Sequence, residues 1–200
     1  MTISPKHTIR DICLNQAKIF TLGNDRVYKE IKELPKPIHL RMKRRLHRRD
    51  KIIPARDLSR ITMQELDQLS RTDEQDYFIK VLCVMLKISE PEAMDLYFIR
   101  AYRYFLECMN DLGKIAKKWK SLEMPLTPEE QQAHIEHPNR GIVSICRQYA
   151  QLMNGAVKFD DTLEMPWHFI YEAFEAEKYK NLEMRRLQAI YSNKGKSRKK

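Results

Sequence analysis

The sequence predicts an all-α protein: a compact helical bundle with a long central helix, a long C-terminal helix and an extended basic N-terminal arm. Only 5 of the 200 residues are glycine, which is few for the turns of a many-stranded sheet. Strong helix formers, such as Leu, Met, Glu, Lys, Arg and Gln, are plentiful. Capping motifs recur ahead of apolar residues at helical spacing. We assign residues 1–56 to the arm, 57–191 to a helical domain and 192–200 to a basic tail.

The arm is predicted to contain little regular structure. Residues 11–20, DICLNQAKIF, fit the start of either a strand or a short helix. Residues 26–34, RVYKEIKEL, predict a helix that ends at Leu34, because Pro35 disfavours helical backbone in the residue before it.

Two capping boxes mark helix starts in the middle of the chain. Thr62 and Glu65 have the S/T-x-x-E spacing, which predicts a helix that begins at Thr62. A second helix is predicted over residues 73–87, where acids precede an apolar run. Ser89 and Glu92 form the next capping box, and the longest helix is predicted to begin there.

Apolar residues follow a heptad spacing along this longest helix. They alternate at separations of 4 and 3: Met94, Phe98, Ala101, Phe105, Cys108, Leu112, Ile115 and Trp119. Further aromatic and apolar residues widen the apolar coverage beyond a narrow seam. This pattern favours a central helix packed by its own domain over a free coiled coil, although a self-association face stays open.

Three segments are assigned in the last third of the chain. A capped helix is predicted from Leu126 to about Pro138. Another is predicted over residues 142–153, with Asn154 and Gly155 as its C-terminal stop.

The last helix is predicted to begin at Pro166 and to run to about Tyr191. Before it, Asp160 and Asp161 are expected in a loop, as caps and helix-dipole partners. The polar stretch over residues 178–186 is predicted to project from the body.

The net charge of +10 is unevenly distributed along the chain. Residues 1–60 hold 16 Lys and Arg against 6 Asp and Glu, whereas residues 61–200 hold 21 of each. Residues 194–200 add five basic residues and no acid. The chain thus has a mildly acidic body between two basic ends.

The two basic ends are the candidate binding sites for a partner or for nucleic acid. Their residues are Arg41, Lys43, Arg44, Arg45, Arg48, Arg49, Lys51, Lys196, Arg198, Lys199 and Lys200. A dense basic block repels itself, so it is either mobile or held against phosphate, carboxylates or another subunit. No Phe, Trp or Tyr lies between Tyr28 and Tyr77 to stack on bases, so nucleic-acid contact would be electrostatic and non-specific. A solvated charge run that aids solubility is the other interpretation.

The sequence shows no constellation typical of a catalyst. His134 and His137 lack a third metal ligand, and no glycine-rich phosphate loop or hydrolase elbow is present. The four cysteines are far apart, so we expect reduced, mostly buried thiols. We therefore predict no enzyme activity, cofactor or metal. No signal sequence or run of about 18 apolar residues occurs, which predicts a cytoplasmic protein without membrane contact.

Two stretches carry a resemblance to a known class of proteins. They are residues 53–89, IPARDLSRITMQELDQLSRTDEQDYFIKVLCVMLKIS, and residues 141–179, GIVSICRQYAQLMNGAVKFDDTLEMPWHFIYEAFEAEKY, with D-D-x-L-x-M-P-W-x-x-I-Y in the second. This pattern of capped helices resembles small structural and assembly proteins of tailed bacteriophages, of the head-to-tail connector, ring or tail-assembly type. The resemblance implies a non-enzymatic virion protein, but it identifies no site residue.

Two functional hypotheses follow from these observations. The first is a structural or assembly protein that contacts other proteins of the same assembly, forms a homo-oligomer and docks its basic arms on acidic partners. The second is a nucleic-acid-binding accessory protein that clamps phosphates without sequence preference. An enzyme without a recognisable motif is the third and least supported class.

Overall fold

The described part of the chain is mainly helical, which confirms the predicted fold class. The computed structural model describes residues 6–15, 31–43, 50–70, 77–123, 132–133 and 141–197, with the backbone alone for 13–15 and 192–197. The chain divides into two units, Met1–Lys114 and Ile115–Lys200. The division falls inside the helix Phe98–Ser121.

The structure has a small β-hairpin among its helices. In chain order the elements are α1 (Ile9–Asn15), β1 (His39–Met42), β2 (Lys51–Pro54), a 3-10 helix (Leu58–Arg60), α2 (Met63–Ser70), α3 (Tyr77–Leu86), α4 (Glu90–Met94), α5 (Phe98–Ser121), α6 (Ile142–Leu152), α7 (Phe159–Glu164) and α8 (Trp167–Ser197). No helix among the described residues is long and apolar enough to cross a membrane.

The described residues of the predicted arm contain three of these elements. Helix α1 and strands β1 and β2 all lie within residues 1–56. Their apolar side chains, including Ile9, Leu40 and Ile53, are buried in the core of the first unit. Burial of these side chains offsets the repulsion between the neighbouring basic residues. Helix α1 and strands β1 and β2 are therefore part of the folded first unit.

Both predicted capping boxes are confirmed. The Glu65 amide donates to Thr62 Oγ1 at 3.2 Å, and the Thr62 amide donates to Glu65 Oε2 at 2.9 Å. At the second box the Ser89 amide donates to Glu92 Oε2 at 3.0 Å. Each pair satisfies backbone N–H groups that have no partner inside the helix.

The helix predicted to begin at Ser89 is interrupted after one turn. Helix α4 ends at Met94, and α5 begins only at Phe98. Between them Leu96 forms a bridge with Met42, and Tyr97 forms one with Thr8. These tertiary hydrogen bonds take the backbone groups that a continuous helix would have used, so the heptad seam runs along α5 from Phe98.

An aromatic cluster holds α3 against α5 in the first unit. The ring of Phe78 lies 5.2 Å from that of Phe105, 5.7 Å from Tyr102 and 6.3 Å from Phe98, in edge-to-face geometry. Phe78 and Phe98 are buried, and Tyr104 is completely buried with its hydroxyl donating to the Arg56 carbonyl at 2.7 Å. The predicted interpretation of α5 as a helix packed by its own domain holds for this unit.

In the second unit, α6 ends where the sequence predicts. The segment that follows it differs from the prediction. Asn154 and Gly155 adopt φ values of 50° and 80°, the left-handed conformation that stops a helix. Asp160 and Asp161 lie in the first turn of α7 and not in a loop. Acids are favourable there because they face the positive end of the helix dipole. The helix predicted from Leu126 to Pro138 lies outside the described residues, apart from 132–133.

The core of the second unit forms around the end of α5 and the start of α8. The Trp119 ring lies 5.7 Å from that of Tyr171 and 6.3 Å from that of Phe174. The Lys118 ammonium lies 5.6 Å from the ring centres of Trp167 and Tyr171, within cation–π range. These contacts fix the first two turns of α8.

Candidate interaction surface

Three residues of the basic cluster lie in the described part of the β-hairpin: Arg41 in β1, Lys43 directly after it and Lys51 in β2. Strands β1 and β2 are antiparallel, with Leu40 opposite Ile53 and Arg41 opposite Ile52. Side chains alternate between faces along a strand. Leu40 and Ile53 are accordingly buried, whereas Arg41 and Ile52 share the exposed face.

The second edge of β1 is also hydrogen-bonded. The Lys43 amide donates to the Asp95 carbonyl at 2.9 Å, and the Tyr97 amide donates to the Arg41 carbonyl at 3.1 Å. The segment around Tyr97 is bonded in turn to the start of the chain, since the Phe98 amide donates to the His7 carbonyl at 3.0 Å. Strand β1 is therefore held on both edges, which fixes the positions of Arg41 and Lys43.

Acidic and phenolic side chains hold the end of the hairpin where β1 ends and β2 begins. The Lys51 ammonium lies 3.0 Å from Glu92 Oε1, and the Tyr97 hydroxyl lies 3.2 Å from both Asp50 carboxylate oxygens. Burial, followed by the hydrogen bond to Asp50, raises the pKa of Tyr97, so it stays a neutral donor. Lys51 thus has a structural partner within the chain.

A pH-dependent contribution to stability is expected from Glu92. Hydrogen bonds from the Ser89 amide and from Lys51 lower the pKa of Glu92 from 4.5 to about 2. Because its folded-state pKa is depressed, the stabilisation is present above about pH 4.5 and is lost as the pH falls toward 2. Urea unfolding between pH 7 and 2 should show a shallower acid loss for Glu92→Gln than for wild type. Equal slopes in the two proteins would contradict this role, and Glu33→Gln, at an exposed position, is the control.

The predicted site residues lie in different parts of the chain. Arg41 and Lys43 are exposed at the end of β1, and Lys51 is half-buried against Glu92. Lys196 lies in the helical backbone of α8, in the other unit. The remaining predicted positions lie outside the described residues: Arg44, Arg45, Arg48, Arg49, Arg198, Lys199 and Lys200. Of these, residues 44–49 fall in the sequence between the two strands.

Sequence reasoning missed the apolar part of this surface. Ile38 is 86% exposed and Ile52 is 61% exposed, close in sequence to the basic residues of β1 and β2. The alternation of apolar and basic residues from Leu40 to Lys43 was the signal that could have indicated a strand here. We call the exposed residues Arg41, Lys43 and Ile52 the hairpin surface. Arginine is enriched at protein–protein interfaces, and Ile52 adds an exposed apolar side chain opposite Arg41.

The described residues bring no cluster of metal ligands together. No group of three or more His, Cys, Asp or Glu side chains within them could hold a metal ion. Cys83 is half-buried, and Cys108 and Cys146 are buried. Burial raises the pKa of Cys108 to about 12, which disfavours the thiolate needed for nucleophilic chemistry. The hairpin surface supports binding by charge and apolar contact.

Comparison with protein-family models, curated proteins and solved structures finds no match to this chain. The resemblance to assembly proteins of tailed bacteriophages thus stays a prediction from the sequence.

Proposed function

We propose that this chain is a non-enzymatic structural or assembly protein that binds acidic surfaces of partner proteins through the hairpin surface. The observation that supports this most strongly is the fixed position of exposed cations on a strand held at both edges. A charge run that serves only solubility needs no such framework, whereas a docking surface gains affinity from preorganised groups.

Charge complementarity supports an acidic partner. Lys51 and Arg10 are engaged by Glu92 and Asp95 at 3.0 Å, while Arg41 and Lys43 extend from the exposed end of β1. Further along the chain, residues 44–49 add four arginines and no acid. A partner rich in carboxylates would associate faster and in a defined orientation with such a surface.

The sequence resemblance extends this proposal to a specific kind of assembly. It supports a virion component of a tailed bacteriophage, of connector, ring or tail-assembly type, that contacts other structural proteins. The protein would then reside in the virion and in the host cytoplasm.

The alternative function is non-specific binding of nucleic acid. The same exposed arginine and lysine side chains could contact phosphates, with the C-terminal lysines as a second contact. Such binding would fall steeply as salt rises, because each phosphate contact releases counterions. The exposed side chain of Ile52 favours a protein partner over this alternative.

Binding of poly-L-glutamate and of duplex DNA separates the two functions. We expect the full chain to bind poly-L-glutamate at low salt and the variant Arg41→Glu/Lys43→Glu to bind it about tenfold more weakly. Fluorescence anisotropy of the labelled probes measures both affinities. Preferential binding of duplex DNA would support the nucleic-acid function instead.

The matched control is Lys117→Glu/Lys120→Glu, which makes the same charge change at exposed positions of α5. It should retain affinity for poly-L-glutamate to within about threefold, since it leaves the hairpin unchanged. An equal loss in both variants would mean that net charge alone governs binding, and it would refute the role of the hairpin surface.

A further inference from the structure

Helix α8 exposes a run of large apolar side chains. Six of them are between 41% and 70% exposed: Phe169, Tyr179, Met184, Leu187, Ile190 and Tyr191. Single exposed apolar residues are normal on a protein surface, but a contiguous group on one helix indicates an interaction site. The sequence predicts a polar, projecting stretch over residues 178–186 of this helix, which includes only Tyr179 and Met184 of these six.

These side chains lie along one side of α8. Phe169 and Leu187 are separated by 18 residues, about five helical turns, so they point in the same direction. Met184 and Tyr191 lie three residues before and four after Leu187, and thus flank it on the same face. We call the six residues the α8 outer face. Trp167, Ile170 and Tyr171 are buried on other sides of the helix, in the core of the second unit.

Charge changes sign along the same helix. Residues 169–183 hold four acidic and two basic residues, whereas residues 184–197 hold four basic residues and no acid. Two parallel copies would place like charges side by side, which is unfavourable. Two antiparallel copies would place the acidic half of each helix beside the basic half of the other.

We propose that the α8 outer face binds the same face of a second copy of this chain, with the two helices antiparallel. Phe169 and Tyr191 are 22 residues apart in the sequence, which corresponds to about 33 Å along the helix axis. This inference rests on the proposed function, in which the chain acts through contacts with other protein surfaces. It names a second copy of the chain as one partner and concerns a different surface.

Self-association of the full chain tests the proposal. Sedimentation of wild type should show a concentration-dependent monomer–dimer equilibrium, and Leu187→Glu should weaken it about 100-fold, because two buried leucines become charged. The control Gln188→Glu adds the same charge at an exposed position about 100° around the helix, and it should weaken association less than about threefold. Circular dichroism verifies that both variants keep α8.

Salt dependence tests the antiparallel orientation. Raising the salt from about 50 to about 500 mM should weaken the dimer, because screening reduces attraction between unlike charges. A dimer that strengthens with salt would indicate parallel helices and overturn the proposal. A wild-type chain that stays monomeric at its highest soluble concentration would overturn it as well. A chain that stays monomeric and uses Leu187 to bind a different protein would also overturn the proposal.

The two proposals can fail separately. The variant Arg41→Glu/Lys43→Glu should dimerise like wild type, since the hairpin surface belongs to the first unit and α8 to the second. If that variant loses poly-L-glutamate binding, the hairpin surface is supported. If wild type also fails to self-associate, only the α8 proposal is refuted.

Discussion

Replacing Phe78 with alanine is expected to lower the free energy of unfolding by about 3 to 5 kcal/mol, the usual cost of removing a buried phenylalanine. Phe78 is buried and lies within 6.3 Å of three other rings. Its loss removes edge-to-face contacts and leaves a cavity between α3 and α5 that rigid neighbours fill only in part. Urea unfolding followed by circular dichroism measures the change.

The control for this variant is Ile38→Ala in the same unit. Ile38 is 86% exposed, so its truncation should change the free energy of unfolding by less than about 0.5 kcal/mol. A loss below about 1 kcal/mol for Phe78→Ala would show that the aromatic cluster does not hold the first unit together.

Replacing Glu65 with alanine is expected to lower the free energy of unfolding by about 2 to 4 kcal/mol. One carboxylate oxygen lies 2.7 Å from Arg56 Nη1, and the other accepts from the Thr62 amide at 2.9 Å. Both side chains of the ion pair are less than 20% exposed. The substitution therefore removes a cap and leaves a poorly solvated guanidinium without its carboxylate.

The effect of Glu65→Ala should depend on pH. Burial acts to raise the pKa of Glu65, but hydrogen bonds from Arg56 and Thr62 outweigh it, so the pKa lies below 4.5. The stabilisation is present above about pH 4.5 and is lost as the pH falls through the folded-state pKa. The difference between wild type and variant should shrink in acid. A difference independent of pH would contradict the ion pair, and Glu33→Ala, at an exposed position, is the control.

Local hydrogen-bonding signals made most of the helical fold predictable. The boxes at Thr62 and Ser89 and the stop at Asn154 depend on residues within a few positions of one another. Their geometry is therefore already specified by the sequence. The predicted helix near residues 73–87 was confirmed over Tyr77–Leu86, where apolar side chains face the core.

Features that depend on distant residues were not predictable in the same way. Tyr97 leaves the helical pattern because its amide donates to the Arg41 carbonyl, and because hydrogen bonds of its neighbours Leu96 and Phe98 pair this segment with the segment around Thr8. Strand β1 was hidden by its basic residues, since only Leu40 and Met42 mark the buried face. The exposure of the α8 outer face depends on which side of the helix the second unit covers, and no local spacing specifies this.

The candidate site was located only in part from the sequence. Arg41 and Lys43 were identified from charge density, and they are exposed in the structure. Lys51 was grouped with them, but its contact with Glu92 depends on the docking of the hairpin against α4. The exposure of Ile38 and Ile52 was not predicted. Which side of a strand a residue occupies can be assigned only when the strand itself is predicted, and β1 and β2 were not.

Native mass spectrometry of the protein, purified at low salt from its source, tests most directly whether the chain acts through its surfaces. We predict a discrete complex that contains at least one other protein in fixed stoichiometry and that loses this protein in the Arg41→Glu/Lys43→Glu variant. A species of 24.0 kDa alone, unchanged by concentration or by candidate partners, would contradict both binding surfaces.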